Sequence, residues 1–202
     1  MTSDQPIHMA AVRGDIERLR DELKKGVAID SPAVRGWTPL IYAASSGHVA
    51  AARFLIEQKA AVDQPNASGL TARHAAANHG QNNVAEVLLD LGADVNRRTN
   101  SGNTPLLLAL VNGRDSGVKF LLERKADATI LFPSGRWAGV PLHEFAAQKC
   151  MDECASLLGF ATTAAPPPAP PAPRIEFDFD FGLESTETAA TAEANDVLTP
   201  RT

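Results

Sequence analysis

Apolar and small residues recur along the chain in blocks that share one pattern and one spacing. The segment 36–44, Gly-Trp-Thr-Pro-Leu-Ile-Tyr-Ala-Ala, returns in altered form at 69–77 and again at 102–110. Both intervals are 33 residues. A fixed period of this size is typical of stacked-repeat proteins, in which each unit buries its apolar face against its neighbours. The pattern therefore predicts a protein that presents a surface and does not enclose a reaction.

Within one block, the polar and apolar positions predict two helices. Thr38 and Pro39 suit the N-cap and first turn of a helix, because the N–H that proline lacks is unused there. Gly47-His48 interrupts the pattern, and residues 49–56 resume it with helical spacing. Residues 63–69, Asp-Gln-Pro-Asn-Ala-Ser-Gly, are turn formers. Each block thus predicts a helix, a break, a second helix and a turn.

Together these motifs resemble the ankyrin repeat. The Thr-Pro-Leu-like helix starts, the Gly-His break and the Gly-Ala-Asp-Val-Asn ending at 92–96 keep the same phase through residues 5–160. The resemblance implies an all-α solenoid of helix-turn-helix units joined by β-hairpin-like fingers. It also implies a protein-binding function.

The phase of the motifs divides an ankyrin-like domain, residues 1–160, into five expected units. The first and last are expected to be caps, since the outer helix of the first is densely charged and the last ends early. Three residues are inserted before the last unit, in the finger between Ile130 and Gly139. The expected bounds of the units are 5–33, 34–66, 67–99, 100–135 and 136–160.

Four positions depart from the family pattern. Arg73 stands in place of a motif leucine, and Ala72 in place of the motif proline. A buried arginine has to reach solvent or find a partner, so this unit is expected to be locally weaker. Lys59 and Lys125 replace the usual glycine at the end of a unit, which leaves open whether the left-handed cap is kept there.

The composition changes after Phe160. Residues 161–173 form a Pro/Ala-rich linker, for which polyproline II is expected. Residues 174–184 are an acidic-aromatic motif, and residues 185–202 are rich in Thr, Ala and Glu. The last segment is predicted to be a disordered tail.

The acidic-aromatic motif alternates two kinds of side chain. In a strand, Phe177, Phe179 and Phe181 would face one side, with Asp178 and Asp180 on the other. One interpretation is a linear motif that adds to the sheet of a partner or fills an apolar groove with a basic rim. The alternatives are an acidic activation segment, docking to the chain's own groove, and a tail with no partner.

Charge and cysteine usage limit the classes of partner and compartment. The net charge is −5, and residues 161–202 supply all of it, so the repeat body is neutral. A neutral body with an acidic tail argues against direct binding of nucleic acid. Cys150 and Cys154 are too few for a disulfide framework. With no signal pattern and no membrane-spanning run, we expect an intracellular protein, cytoplasmic and/or nuclear, without a membrane partner.

The sequence contains no motif that indicates an enzyme. No nucleophile elbow, phosphate-binding glycine loop or carboxylate pair occurs, so we expect no catalytic residues, no cofactor and no small-molecule substrate. His143, Cys150 and Cys154 lack a second paired motif, and no metal site is expected. The ankyrin resemblance gives His8, His74 and His143 a structural role between units.

In the ankyrin family, partners usually contact the finger tips and the exposed positions of the inner helices. Carried over by phase, this gives eleven candidate residues. For the two tryptophans the alternative is packing against a neighbouring finger, and for His79 it is a solvated surface. The candidates are Arg35, Trp37, Ser45, Ser46, Leu70, Asn78, His79, Asn103, Asn112, Arg136 and Trp137.

The sequence therefore predicts a non-catalytic protein-protein interaction module that acts as a scaffold, assembly factor or inhibitor. It would bind one or more partner proteins through its concave groove and through the C-terminal Phe/Asp peptide. The alternative is a transcription or signalling regulator whose acidic tail recruits machinery.

Overall fold

The structure, a computed structural model, describes residues 5–92, 94–149 and 151–158. These residues form ten α-helices in five successive pairs. The first helix of each pair is called the inner helix and the second the outer helix. The pairs are α1 Pro6–Arg13 with α2 Ile16–Lys24, α3 Pro39–Ser46 with α4 Val49–Glu57, α5 Ala72–His79 with α6 Asn82–Asp90, α7 Pro105–Val111 with α8 Asp115–Glu123, and α9 Leu142–Gln148 with α10 Asp152–Leu157.

The chain between one pair and the next is called a finger, and there are four fingers in the described part. Each is closed by a backbone hydrogen bond across its tip: Ala33 N–H donates to Trp37 O at 2.8 Å, and Asn66 N–H to Leu70 O at 2.9 Å. The first and fourth fingers contain 3-10 turns at Val34–Gly36 and Gly135–Trp137. The described residues hold no β-strand, only a bridge between Leu131 and Pro141. The expected all-helical architecture is confirmed.

Helix ends follow the capping chemistry of the sequence. The Thr38 hydroxyl accepts a hydrogen bond from Ile41 N–H at 3.3 Å, and Thr104 does the same for Leu107. The inner helix α3 ends at Gly47, which has a left-handed φ of 79°. Left-handed backbone suits glycine, which has no Cβ to clash.

Alanines bring the inner helices close together. Ala10, Ala43, Ala76 and Ala109, spaced 33 residues apart, are all fully buried. Leucines of the outer helices, among them Leu55, Leu88 and Leu121, close the core from the other side. The stack therefore repeats one packing solution, as expected of a solenoid.

The lysine departures do not change the backbone. Lys59 and Lys125 have φ of 74° and 65°, close to the 87° and 80° of Gly26 and Gly92 in the same place of other units. The left-handed cap is thus kept with a residue that costs roughly 1–2 kcal/mol more than glycine in this conformation.

Arg73 is buried in the leucine position of the third unit. Its guanidinium contacts the carboxylate of Asp63, while Nε and Nη1 have no hydrogen-bond partner within the described residues. Burial lowers its pKa, against the opposing effect of Asp63. The surrounding side chains are apolar and include Leu89 and Leu121.

The C-terminal predictions fall outside the described residues. These are the linker 161–173, the acidic-aromatic motif 174–184 and the tail 185–202. Each helical pair lies within one of the expected units, and the bounds of those units stay a prediction.

Candidate partner-binding surface

The inner helices and the finger tips form one surface, here called the groove surface. Ring contacts join the two parts: Trp37 of the first finger lies 5.0 Å from Tyr42 of α3, centroid to centroid, and Trp137 of the fourth finger lies 5.1 Å from Phe145 of α9. The finger tips therefore lie against the inner helices.

Hydrogen bonds join neighbouring finger tips into a row. Ala67 N–H donates to Arg35 O at 3.0 Å, and Asn100 N–H donates to Ser68 O at 3.0 Å. The Asn100 amide also donates to Ala67 O. A Cβ on Gly69 would lie 2.5 Å from the Asn100 side chain, so only glycine permits this approach. The first three tips are thus held in position relative to one another.

Arg35 and Trp37 have different exposure although both belong to the first finger. Arg35 is exposed, in a left-handed conformation with φ of 60°. Trp37 is only 9% exposed, because its ring packs against Tyr42. Trp37 is therefore not the exposed anchor that the sequence indicates, and its ring contacts Tyr42 of the same unit.

Three other candidates are also buried, contrary to expectation. Ser45 and Leu70 are only 7% and 3% exposed. Asn78 is also buried, and its polar groups are paired: the amide oxygen accepts a hydrogen bond from the Asn112 amide at 2.8 Å, and the backbone oxygen accepts one from Arg114 Nε at 3.2 Å. These three side chains are buried and are not exposed on the groove surface.

The remaining candidates reach the surface. Asn112 and Arg136 are exposed, and Ser46, His79, Asn103 and Trp137 are half-buried. Burial first, and then the nearby Arg114, lower the pKa of His79. His79 is therefore mainly neutral at pH 7.

Sequence reasoning missed the aromatic cluster around the fourth finger. Phe132 and Trp137 both pack on Phe145, with ring centroids 4.7 and 5.1 Å apart. The cations of Arg136 and Lys149 lie 5.8 and 5.9 Å from the Trp137 ring. The aromatic residues of the fourth finger were visible in the sequence. Their contact with Phe145 depends on how the finger folds back onto α9, which the sequence does not show.

Comparison with known proteins agrees with this architecture. A family model described as ankyrin repeats, in three copies, matches residues 7–99 and 60–131, which together cover more than half of the chain. The chain belongs to the ankyrin-repeat family. No curated protein matches the sequence. Ankyrin repeats generally mediate protein-protein interaction and are typically non-catalytic.

Two histidines of this ankyrin-repeat protein have matching structural bonds. The Nε2–H groups of His8 and His74 donate to the backbone oxygens of Ser31 and Arg97, at 2.7 and 2.9 Å. Their Nδ1 atoms accept from the backbone N–H of Gln5 and Thr71. Burial lowers the pKa of His74 to about 4, which keeps it neutral. Both histidines tie a helix start to the next finger.

The described part of the ankyrin-repeat chain contains no group of three or more His, Cys, Asp or Glu residues that could hold a metal ion. Cys154 is buried, and its thiol donates to Asp115 at 3.3 Å. Burial, followed by this carboxylate, raises the pKa of Cys154 to about 12, so the thiol is unreactive. Cys150 lies outside the described residues.

None of the described helices is both long and apolar enough to cross a bilayer.

Proposed function

We propose that the protein is a scaffold, assembly factor or inhibitor that binds partner proteins through two elements, the groove surface and residues 174–184. Linking two contacts in one chain raises the effective concentration of the second once the first has formed. Under this proposal the protein acts inside the cell, without a cofactor and without direct contact to nucleic acid.

One observation carries the groove half of the proposal: the surface varies where the framework is constant. Positions 13, 46, 79 and 112 share one place at the end of the first four inner helices, and they hold Arg, Ser, His and Asn. Three residues earlier, each of these helices has the same buried alanine. Varied side chains on a fixed frame are suited to recognising one particular partner surface.

The groove is tested by affinity purification with two matched double variants of the full chain. Ser46→Arg with Ser68→Arg adds bulk to the groove surface, and Ala50→Arg with Asn83→Arg adds the same bulk to exposed positions of α4 and α6. We expect the first pair to lose partners that the second retains. An unchanged set of partners in both double variants would contradict a role for the groove.

The C-terminal element is tested separately, with Phe177, Phe179 and Phe181 all changed to Ala in the full chain. We expect a subset of partners to be lost, since aromatic side chains supply most of the apolar area that this segment can bury. An unchanged set of partners would contradict a role for residues 174–184 in binding and would leave the proposal for the groove surface standing.

A further inference from the structure

The first helical pair leaves open a face that the next pair buries. Pro6 of α1 and Arg18 of α2 are exposed, whereas Pro39 and Ala51, 33 residues further along, are buried. In the described part of the chain, α1 packs on α3 and α2 on α4, so the first pair has a neighbouring pair on one side only. Residues that a stacked unit normally covers are therefore accessible at this end of the solenoid.

An open pocket of about 250 Å³ lies on this face, between Pro6, Met9, Ala10, Arg13 and Arg18. Met9 is 40% exposed and Pro6 is exposed as well, so the lining offers apolar contact. The volume is below the 300–1,000 Å³ typical of small-molecule sites. A pocket of this size suits one amino-acid residue.

The carboxylates around α2 all have partners other than the side chains of the pocket. Asp15 caps the helix by accepting a hydrogen bond from the backbone N–H of Arg18 at 3.0 Å. Asp30, in the finger that follows, accepts one from Ala61 N–H at 3.1 Å. The other three pair with cations one turn further along: Glu17 with Arg20 at 3.9 Å, Asp21 with Lys24 at 3.7 Å and Glu22 with Lys25 at 2.8 Å.

Arg13 and Arg18 are the two cations of residues 5–33 that have no carboxylate partner within the described part of the chain. Both are exposed, and both line the pocket. Ser46 and Ala51 take the same places in the next unit, so the two charges are particular to this end. Two unpaired guanidinium groups beside apolar side chains suit an anion that carries an apolar group, because a guanidinium can donate two parallel hydrogen bonds to one carboxylate.

We propose that this pocket binds the C-terminal residue of a partner protein whose chain ends in an apolar side chain. The α-carboxylate would pair with Arg13 and Arg18, and the side chain would cover Met9. A chain terminus carries both groups on one Cα, so both fit a site of one-residue size, whereas an internal Asp or Glu supplies the carboxylate alone. This inference rests on the proposed function, because its ligand is part of a protein, and it adds a site at the end of the stack.

The probe is a short Gly/Ser peptide that ends in leucine with a free α-carboxylate, titrated into the isotope-labelled full chain by NMR. We expect saturable shift changes at the amides of Met9, Ala10 and Arg18. The same peptide with a C-terminal amide should bind at least about tenfold more weakly, because it brings no negative charge to the two arginines. A peptide that ends in serine should bind about fivefold more weakly, since it covers less apolar surface.

Receptor variants locate the contact. We expect Arg18→Gln to weaken binding of the leucine peptide about five- to tenfold, and Arg18→Lys to weaken it less because the charge is kept. Arg53→Gln is the matched control, since Arg53 is also an exposed arginine of an outer helix but does not line the pocket. Met9→Ser should weaken the leucine peptide more than the serine peptide. Thermal melting of each variant checks that the fold is kept.

Three results would overturn the inference: equal affinity for the acid and amide peptides, equal effects of Arg18→Gln and Arg53→Gln, or no saturable binding. Octanoate carries a carboxylate and an apolar chain without a peptide, and tighter binding of octanoate than of the leucine peptide would overturn the assignment to a chain terminus. If no peptide binds while Ser46→Arg with Ser68→Arg still removes partners, this inference fails and the proposed function stands.

Discussion

At the scale of single residues, Lys59 and Lys125 have a left-handed backbone conformation that is strained for any residue other than glycine. Gly92 occupies the same place as Lys59, and a Cβ there would meet no atom within 4 Å, so the difference between the two is mainly backbone conformation. We predict that Lys59→Gly stabilises the protein by about 0.5–1 kcal/mol, the strain relieved less the entropy that glycine adds to the unfolded chain. Urea denaturation measures it. The reciprocal Gly92→Lys should destabilise by a similar amount, and destabilisation by both would contradict the explanation.

Arg73 is a second residue-scale case, in which a charge occupies a leucine site. We predict that Arg73→Leu stabilises the protein by about 1–3 kcal/mol, because it replaces a poorly satisfied buried cation by the residue found at positions 40 and 106. Asp63→Ala should cost about 2 kcal/mol in the wild type and almost nothing in Arg73→Leu. A double-mutant cycle by urea denaturation checks both values. Additive effects would show that the two side chains are not coupled.

The residue scale is also where sequence reasoning reached its limit. The break in pattern at Arg73 was visible in the sequence, but its partner Asp63 was not, because their contact depends on how the intervening finger folds. The same holds for Trp37 and Asn78: the repeat phase placed them on the groove surface, whereas the rings and amides of neighbouring helices bury them. The repeat phase indicates the direction of a side chain, but its exposure depends on the neighbouring side chains, from the same unit for Trp37 and from the next unit for Asn78.

At the scale of elements, local chemistry in the sequence was sufficient. The expected helices at 38–46 and 49–56 correspond to Pro39–Ser46 and Val49–Glu57, because threonine caps, N-terminal prolines and terminal glycines act within one turn. The fingers were expected to resemble β-hairpins, and their tips do close by backbone hydrogen bonds, although the described residues form no strands. The fourth finger was less predictable, since its insertion has no counterpart in the other units.

The start of α5 supplies an element-scale prediction about pH. His74 has a folded pKa of about 4 against an ordinary 6.5, so the unfolded chain binds the proton more readily. Stability should therefore fall as the pH decreases from about 6.5 to 4 and should be insensitive to this group above that range. His74→Leu, the residue at position 107, should remove up to about 3 kcal/mol of this dependence. Urea denaturation of both proteins at pH 4.5 and 7.5 isolates the difference, and parallel pH profiles would contradict it.

At the scale of the whole molecule, the stack should lose its ends independently. Each helical pair packs mainly on its neighbours, so stability is close to a sum of unit and interface contributions. The last pair depends on the cluster of Phe132, Phe145, Leu158 and Cys154, in which Phe145 is central. Phe145→Ala should cost about 3–5 kcal/mol, and most of that loss should appear as local opening of α9 and α10.

Cys154 reports this opening, because its thiol is buried and reacts only when the last pair separates from α8. In a Cys150→Ser background, Phe145→Ala should accelerate labelling of Cys154 by a thiol reagent about a hundredfold or more, as expected when opening costs at least ~3 kcal/mol less. The matched variant is Leu19→Ala, which removes an equally buried side chain from the first pair. It should lower global stability and leave labelling under native conditions almost unchanged. If Leu19→Ala accelerated the labelling of Cys154 as strongly, the stack would open as one cooperative unit. The two ends would then not open independently of each other.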